Sequence, residues 1–344
     1  MNISNKGFDI AIVGATGTVG ETVRELLEKR EFPVKNLHLL ASERTAGTQL
    51  MFNSKPVSVK LLHEFDFHQV QIAIFVATDQ VSADYAPQAS QAGCIVLDNS
   101  QCYIDDHDVP LIIPGVNTTT LDAINPHRKI VANPDSVVIQ LWTVLKPIYD
   151  IVPIARINVA TYQAVSGQGK QAVTELAMQT ASVLNGRGAE KKFYKKQITF
   201  NVLPAVGKHE RQGYSSAEWQ LVQQSKRIIA DPQLQLNVTC VQVPVFYADS
   251  MVVNIETNEP IKAEEVVEVL KKNNEIKVID DFENDGYATP VTDAASEDMV
   301  FVSRIRNDLS HDCGLNMWIV GDNVRKGAAL NIVQIAESLI KSYL

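Results

Sequence analysis

The chain has 344 residues, of which 45% are apolar, 21% charged and 7% aromatic. That is ordinary globular composition, which excludes a disordered, collagenous or coiled-coil protein and, at about 100–200 residues per domain, predicts two domains. Thirty-one Lys and Arg against 40 Asp and Glu leave a net charge of −9, so nucleic-acid or anionic-membrane binding, both driven by basic surfaces, is not expected.

No apolar run reaches the roughly 18 residues of a membrane span. The apolar stretch at residues 10–15 is too short for a signal peptide and runs into a glycine turn. The four cysteines, Cys94, Cys102, Cys240 and Cys313, form no C-x-x-C pair and have no zinc spacing with histidine. Reduced thiols in a cytoplasmic protein are the expectation, with no metal site. Cys94 and Cys240 lie in apolar runs and read as core residues.

Residues 8–14 predict a buried strand that stops at a glycine. A helix follows over 18–30, with Val19, Val23, Leu26 and Leu27 at helical spacing. Strands are predicted at 36–41, 72–77 and 94–97, with a helical stretch at 83–91. This alternation of apolar strands and helices, over about residues 7–130, predicts a parallel sheet covered on both faces.

The second half differs. Asn133, Pro134, Asp135 and Ser136 form a cap-and-turn cluster before a helix over 137–145, which Lys146 and Pro147 should end. Alternating strands are predicted at 155–164, 196–203, 237–246 and 251–255, with helices at 170–184 and 264–273. Residues 185–196 read as a basic exposed loop. The pattern suggests an open sheet with helices on one face and the other face available to a subunit partner. A last helix, 322–344, places Ala328, Ile332, Ile335, Ala336, Leu339 and Ile340 on one face.

Gly14-Ala-Thr-Gly-Thr-Val-Gly20 stands between the first strand and first helix, the context a dinucleotide turn requires. Gly14 permits the tight turn, Gly17 the approach of a pyrophosphate and Gly20 close helix packing. Thr16, Thr18 and Val19 complete the loop and the helix N-terminus, whose N–H groups hold phosphate. After the second strand come Ser42, Glu43, Arg44 and Thr45. Ser42, Arg44 and Thr45 suit a 2′-phosphate, hence NADP; Glu43 is the competing feature and leaves NAD open.

These stretches, with those at 97–100, 109–117, 132–136, 162–167, 241–256 and 318–337, resemble the aspartate-semialdehyde dehydrogenases over nearly the whole chain. The resemblance implies an α/β fold: a Rossmann-type dinucleotide-binding domain (1–131), an α+β dimerisation and substrate domain with a large open sheet (132–321), and a C-terminal helix (322–344) returning to the first domain. It further implies a homodimer, dinucleotide contacts that include Asn323, and NADPH-dependent reduction of an acyl phosphate through a cysteine thioester. A histidine serves as acid/base, and two arginines hold the substrate carboxylate and the phosphate.

The matching positions carry other groups. Ser136 stands for the cysteine and Asp249 for the histidine; Gln242 stands for the carboxylate-binding arginine and Ile104 for the phosphate-binding one. Gln220 and Ala217 replace a lysine–glutamate pair. A serine hydroxyl needs a strong adjacent base, and an ordinary carboxylate shuttles protons poorly at neutral pH unless burial raises its pKa. Gln163, which in the family touches the acyl intermediate, is kept. The pattern resembles the USG-1 branch, a paralogue with its catalytic residues replaced.

Several readings stand side by side. Ser136 either pairs with Asp249 as a nucleophile, or Asp135 or Ser136 caps the helix that begins at Val137. Asp249 otherwise forms a turn with Ser250. Cys102 is an alternative nucleophile with nothing beside it to lower its pKa. His63, His68, His107, His127 and His209 read as surface residues. The chain is then an inactive, NADP-binding paralogue with an unknown small-molecule substrate, or an NADP-dependent oxidoreductase of an altered aldehyde or acyl substrate, or a residual aspartate-semialdehyde dehydrogenase.

Overall fold

The computed structural model describes residues 7–342 and divides into two compact units, Met1–Pro134 with Ala328–Leu344, and Asp135–Gly327. Residues 1–6 of the expected first domain and 343–344 of the expected last helix lie outside the described residues. No helix among the described residues is long and apolar enough to cross a membrane.

The first unit opens with β1 (Phe8–Val13), α1 (Thr18–Lys29) and β2 (Val34–Ala41). The hairpin of β3 (Gln49–Phe52) and β4 (Lys55–Leu61) follows, then β5 (Ile72–Phe75), α2 (Asp79–Gln91), β6 (Ile95–Asp98) and β7 (Ile130–Ala132). The strands lie in the order β3-β4-β2-β1-β5-β6-β7, all parallel except β3. Sequence periodicity missed the hairpin. Its two-residue turn, Asn53 and Ser54 at φ 48° and 60°, is left-handed in both residues and carries no glycine to mark it. α1 buries Val23, Leu26 and Leu27 against Ile10, Ile12 and Leu39, each worth roughly 1.5–3 kcal/mol when fully buried.

The second unit begins with α3 (Ser136–Tyr149) and β8 (Ile154–Gln163), followed by α4 (Lys170–Leu184), α5 (Ser216–Ile228), β9 (Gln235–Gln242) and β10 (Asp249–Thr257). Then come α6 (Ala263–Leu270), β11 (Ile276–Val278), the short pair β12 (Asp280–Asp281) and β13 (Gly286–Tyr287), β14 (Val300–Asn307) and β15 (Gly314–Gly321). A mixed six-stranded sheet runs β11-β14-β15-β10-β8-β9. Met251, Val253 and Ile255 of β10 turn into the core while Val252 remains 40% exposed, the alternation of a sheet covered on one face.

Four expected boundaries change here. α3 continues past Pro147 to Tyr149, because a proline in the last turn forfeits only one intrahelical bond. Residues 196–203 form no strand: Phe200 turns back at φ 54°, and only Leu203 bridges, to Gln242. The strand expected at 237–246 ends at Gln242, so the chain can turn before β10. The last helix starts at α7 (Asn331–Ser342) rather than at 322. The preceding turn is wound more widely at Arg325–Leu330. Ile332, Ile335, Ala336 and Leu339 of α7 complete the core of the first unit.

Candidate active site and dinucleotide turn

In the first unit, Gly14 adopts φ +88°, and a Cβ there would lie 2.5 Å from the Val76 carbonyl oxygen. A Cβ on Gly20 would lie 2.4 Å from the Gly14 carbonyl oxygen. Both positions therefore exclude any side chain. Gly17 is the N-cap of α1, with no side-chain cap, and a Cβ there would meet only Gly14 O, at 3.2 Å. The uncapped first turn around Thr18 and Val19 can thus receive phosphate oxygens, while the Val19 side chain packs on the core.

The Thr16 and Thr45 hydroxyls lie 3.2 Å apart, joining the glycine turn to the loop after β2. Ser42, Glu43 and Arg44 are exposed on that loop, and Arg44 forms no ion pair among the described residues. Bare helix N–H groups, close backbone and an exposed guanidinium fit a phosphorylated dinucleotide. Ile104 is buried, 3% exposed. Cys102 is half-buried, and burial and the Asp98 charge push its thiol up. Asp98 itself is buried, accepting the Ser82 and Ser100 hydroxyls at 2.5 and 2.6 Å.

In the second unit, Ser136 opens α3 and its hydroxyl donates to Asp249 Oδ2 at 3.1 Å. Asp249 is the first residue of β10 and 3% exposed, so it is no turn residue on the surface: the expected turn with Ser250 is corrected. Its Oδ1 accepts the Ala164 N–H at 2.8 Å. Burial pushes this carboxyl up to about 7, the charge of Asp322 adds to the rise, and the Ala164 and Ser136 hydrogen bonds oppose it.

The expected cap is met in position by Asp135 but not in bonding. Asp135 is the N-cap but its side chain makes no capping bond; Gln224 Nε2 donates to Asp135 Oδ2 at 2.8 Å instead. Gln242, buried at 2% exposure, donates to the Gln163 carbonyl oxygen at 2.6 Å. The Gln163 amide donates to the Thr161 hydroxyl at 3.2 Å. Asn323 Oδ1 accepts the Ser166 hydroxyl and the Ala248 N–H, both at 3.0 Å, and so positions the strand entry to Asp249. Sequence reasoning missed Gln224, Asp322 and the Ala164 N–H. The Gln224–Asp135 pair spans 89 positions, and no local motif signals it. Cys94 and Cys240 are buried, their thiols raised to about 11 and about 12 by desolvation. The five histidines named from sequence are all exposed.

A unit with a glycine dinucleotide turn and a second, mixed-sheet unit with a polar pair at a helix N-terminus are the parts of an oxidoreductase of the semialdehyde dehydrogenase class. Residues 9–124 match the family model "Semialdehyde dehydrogenase, NAD binding domain", and residues 145–326 match "Semialdehyde dehydrogenase, dimerisation domain". Aspartate-semialdehyde dehydrogenase 2 of Vibrio cholerae is 48% identical over 336 residues, 98% of this chain and 98% of that protein. The aspartate-semialdehyde dehydrogenase of Shewanella violacea is 47% identical over the same coverage. The crystal structure of Vibrio cholerae aspartate semialdehyde dehydrogenase II complexed with ASA superposes with a TM-score of 0.96 at 47% identity, covering 99% of this chain and 100% of that one. The chain belongs to the aspartate-semialdehyde dehydrogenase family.

Proposed function

We propose that this chain is an NADP-binding homodimeric family member, acting in the cytoplasm, that has lost the phosphorylating dehydrogenase reaction, as in the USG-1 branch. The observation that carries the reading is the contact of Ser136 with Asp249 at the positions matching the family's cysteine and histidine. A hydroxyl gives far less of the ionised nucleophile than a thiol. Two further observations support it: Gln242 is tied to the Gln163 carbonyl, and Ile104 is buried. Neither can hold a carboxylate or phosphate as an arginine does.

The test is NADP-dependent oxidation of aspartate semialdehyde in phosphate. No turnover is expected from the unmodified chain or from Ser136→Cys alone, since groups that act together are strongly non-additive. Ser136→Cys with Asp249→His and Gln242→Arg should regain a trace, and Ile104→Arg added to these should regain more. Substantial turnover in the unmodified chain, abolished by Ser136→Ala, would refute the reading.

The cofactor preference is tested separately. Bound NADP would supply hydride chemistry; the chain's own part is to hold the 2′-phosphate. NADPH should bind more tightly than NADH, and Arg44→Ala should remove most of the difference, about 1–3 kcal/mol for a charge-assisted bond. Equal affinities in a fluorescence titration of the unmodified chain would count against Arg44. An oxidoreductase of an altered substrate is the second reading, favoured by a carboxyl near 7, which suits proton transfer at neutral pH. NADPH consumption with one member of a panel of uncharged aldehydes would select it.

A further inference from the structure

The second unit brings a nucleophile, a proton acceptor and polar hydrogens together around Ser136. The Ser136 hydroxyl donates to Asp249 Oδ2 at 3.1 Å, and the Ala164 N–H fixes Oδ1 at 2.8 Å, so the carboxyl group is oriented on both sides. Ser136 is half-buried and so still reachable. Gly327 backs it so closely that a Cβ there would lie 2.5 Å from Ser136 Cβ. The first turn of α3 carries no side-chain cap, because Asp135 is engaged by Gln224. The N–H groups of Val137 and Val138 are therefore left for an oxyanion beside the serine.

The geometry points to a serine–aspartate dyad that hydrolyses uncharged activated acyl compounds, esters or thioesters, without dinucleotide. Ser136 Oγ bonds to the acyl carbon while its proton passes to Asp249 Oδ2 and the carbonyl electron pair moves onto oxygen. Collapse of this adduct breaks the bond to the leaving alcohol or thiol, which takes the proton from Asp249. Water then attacks the acyl-serine, gives its proton to Asp249, and Ser136 departs with it. One acyl compound and one water become an acid and an alcohol or thiol, with no net oxidation.

Charge selects the substrate. Asp249 faces Asp322 beyond β15, and the neighbouring Cys240 thiol of β9 sits among Asp135 and Glu218 as well as Asp249. Lys326, on the turn behind Ser136, directs its ammonium to Glu275 at 3.0 Å. An acidic surround disfavours anionic acyl groups. With the carboxyl lifted to about 7 by burial, the base form fills over the neutral range. The rate should climb about tenfold per pH unit to a plateau above about 7.

The probe is p-nitrophenyl acetate with the full chain and no added dinucleotide, read as p-nitrophenolate release, with mass spectrometry locating the acetyl group after a rapid quench. Expected are saturable release, acetyl on Ser136, and a profile rising through about pH 7. Ser136→Ala and Asp249→Asn should each lose about 100-fold or more, while Cys102→Ser changes nothing. Asp249→Asn retains shape and hydrogen-bonding capacity, and a melting curve verifies its fold. p-Nitrophenyl succinate, the anionic counterpart, should react about tenfold more slowly. Acetyl on a lysine or Cys102, release unaffected by Ser136→Ala, a flat pH profile or no release at all overturns the proposal. Each result is independent of dehydrogenase activity, so either reading can fail without the other.

Discussion

Asp249 carries a thermodynamic signature as well as a chemical one. Its carboxyl stands near 7 when folded against an ordinary 3.8, so the folded chain binds this proton more tightly than the unfolded one. The stabilisation is present in full below about pH 4 and is lost as pH rises to about 7. It amounts to roughly 4 kcal/mol by linkage. The urea-unfolding free energy of the unmodified chain should therefore fall relative to Asp249→Asn between pH 4 and 8; a pH-independent difference would contradict the burial argument. The preceding residue adds strain. Ala248 sits at φ 72°, in the left-handed region that favours glycine. A Cβ in this left-handed region costs about 1–2 kcal/mol, partly offset by the entropy glycine loses on folding. Ala248→Gly should raise stability by about 1 kcal/mol in thermal or urea melts.

At the scale of elements, side chains on α4 decide what the following segment becomes. The Glu175 carboxylate accepts the N–H groups of Lys192 and Tyr194 at 2.9 and 3.1 Å, and that of Phe193 as well. Gln179 Oε1 accepts those of Ile198 and Thr199 at 3.0 and 3.4 Å. The N–H groups of 192–194 and of 198–199 are thus taken up by a helix and not by a strand ladder, which is why apolar alternation at 196–203 yields no strand. Glu175→Ala leaves three N–H groups without their acceptor, at about 1–3 kcal/mol for each that stays buried. The variant should lose about 2–4 kcal/mol in urea melts, and trypsin should cut sooner among Lys191, Lys192, Lys195 and Lys196. Wild-type proteolysis rates in the variant would show that Glu175 does not hold the segment.

For the whole molecule, the match to a dimerisation domain makes the uncovered face of the second sheet the place to test for a second copy of the chain. Asn237, Asn158, Asn254 and Asn316 lie side by side across four strands of that face, and Asn254 donates to Asn316 at 3.1 Å. Val252 is exposed one step along from this polar row. A self-complementary patch of this kind suits a two-fold pair. Light scattering should give twice the 38.0 kDa chain mass, and Val252→Glu, which repeats a charge across the axis, should shift it to the single-chain mass. A single-chain mass for the unmodified protein at micromolar concentration would exclude the pair.

The residues alone determined the parallel sheet of the first unit and its glycine turn. Apolar runs, helical spacing and a glycine turn set between a strand and a helix are local properties, legible from neighbours in the chain, whereas the Val76 carbonyl that bars a Cβ from Gly14 is supplied from 62 positions away. Motif positions likewise singled out Ser136 and Asp249. What they do together is a tertiary fact: 113 positions separate them, and the hydrogen bond exists because β10 enters beside the first turn of α3. The sequence reading also set a condition, that a carboxylate is a poor proton carrier here unless burial lifts it. Only the structure meets that condition, because the desolvation that raises Asp249 comes from elements remote in the chain. The same holds for residues 196–203, where apolar alternation was legible but the acceptors on Glu175 and Gln179 that override it were not.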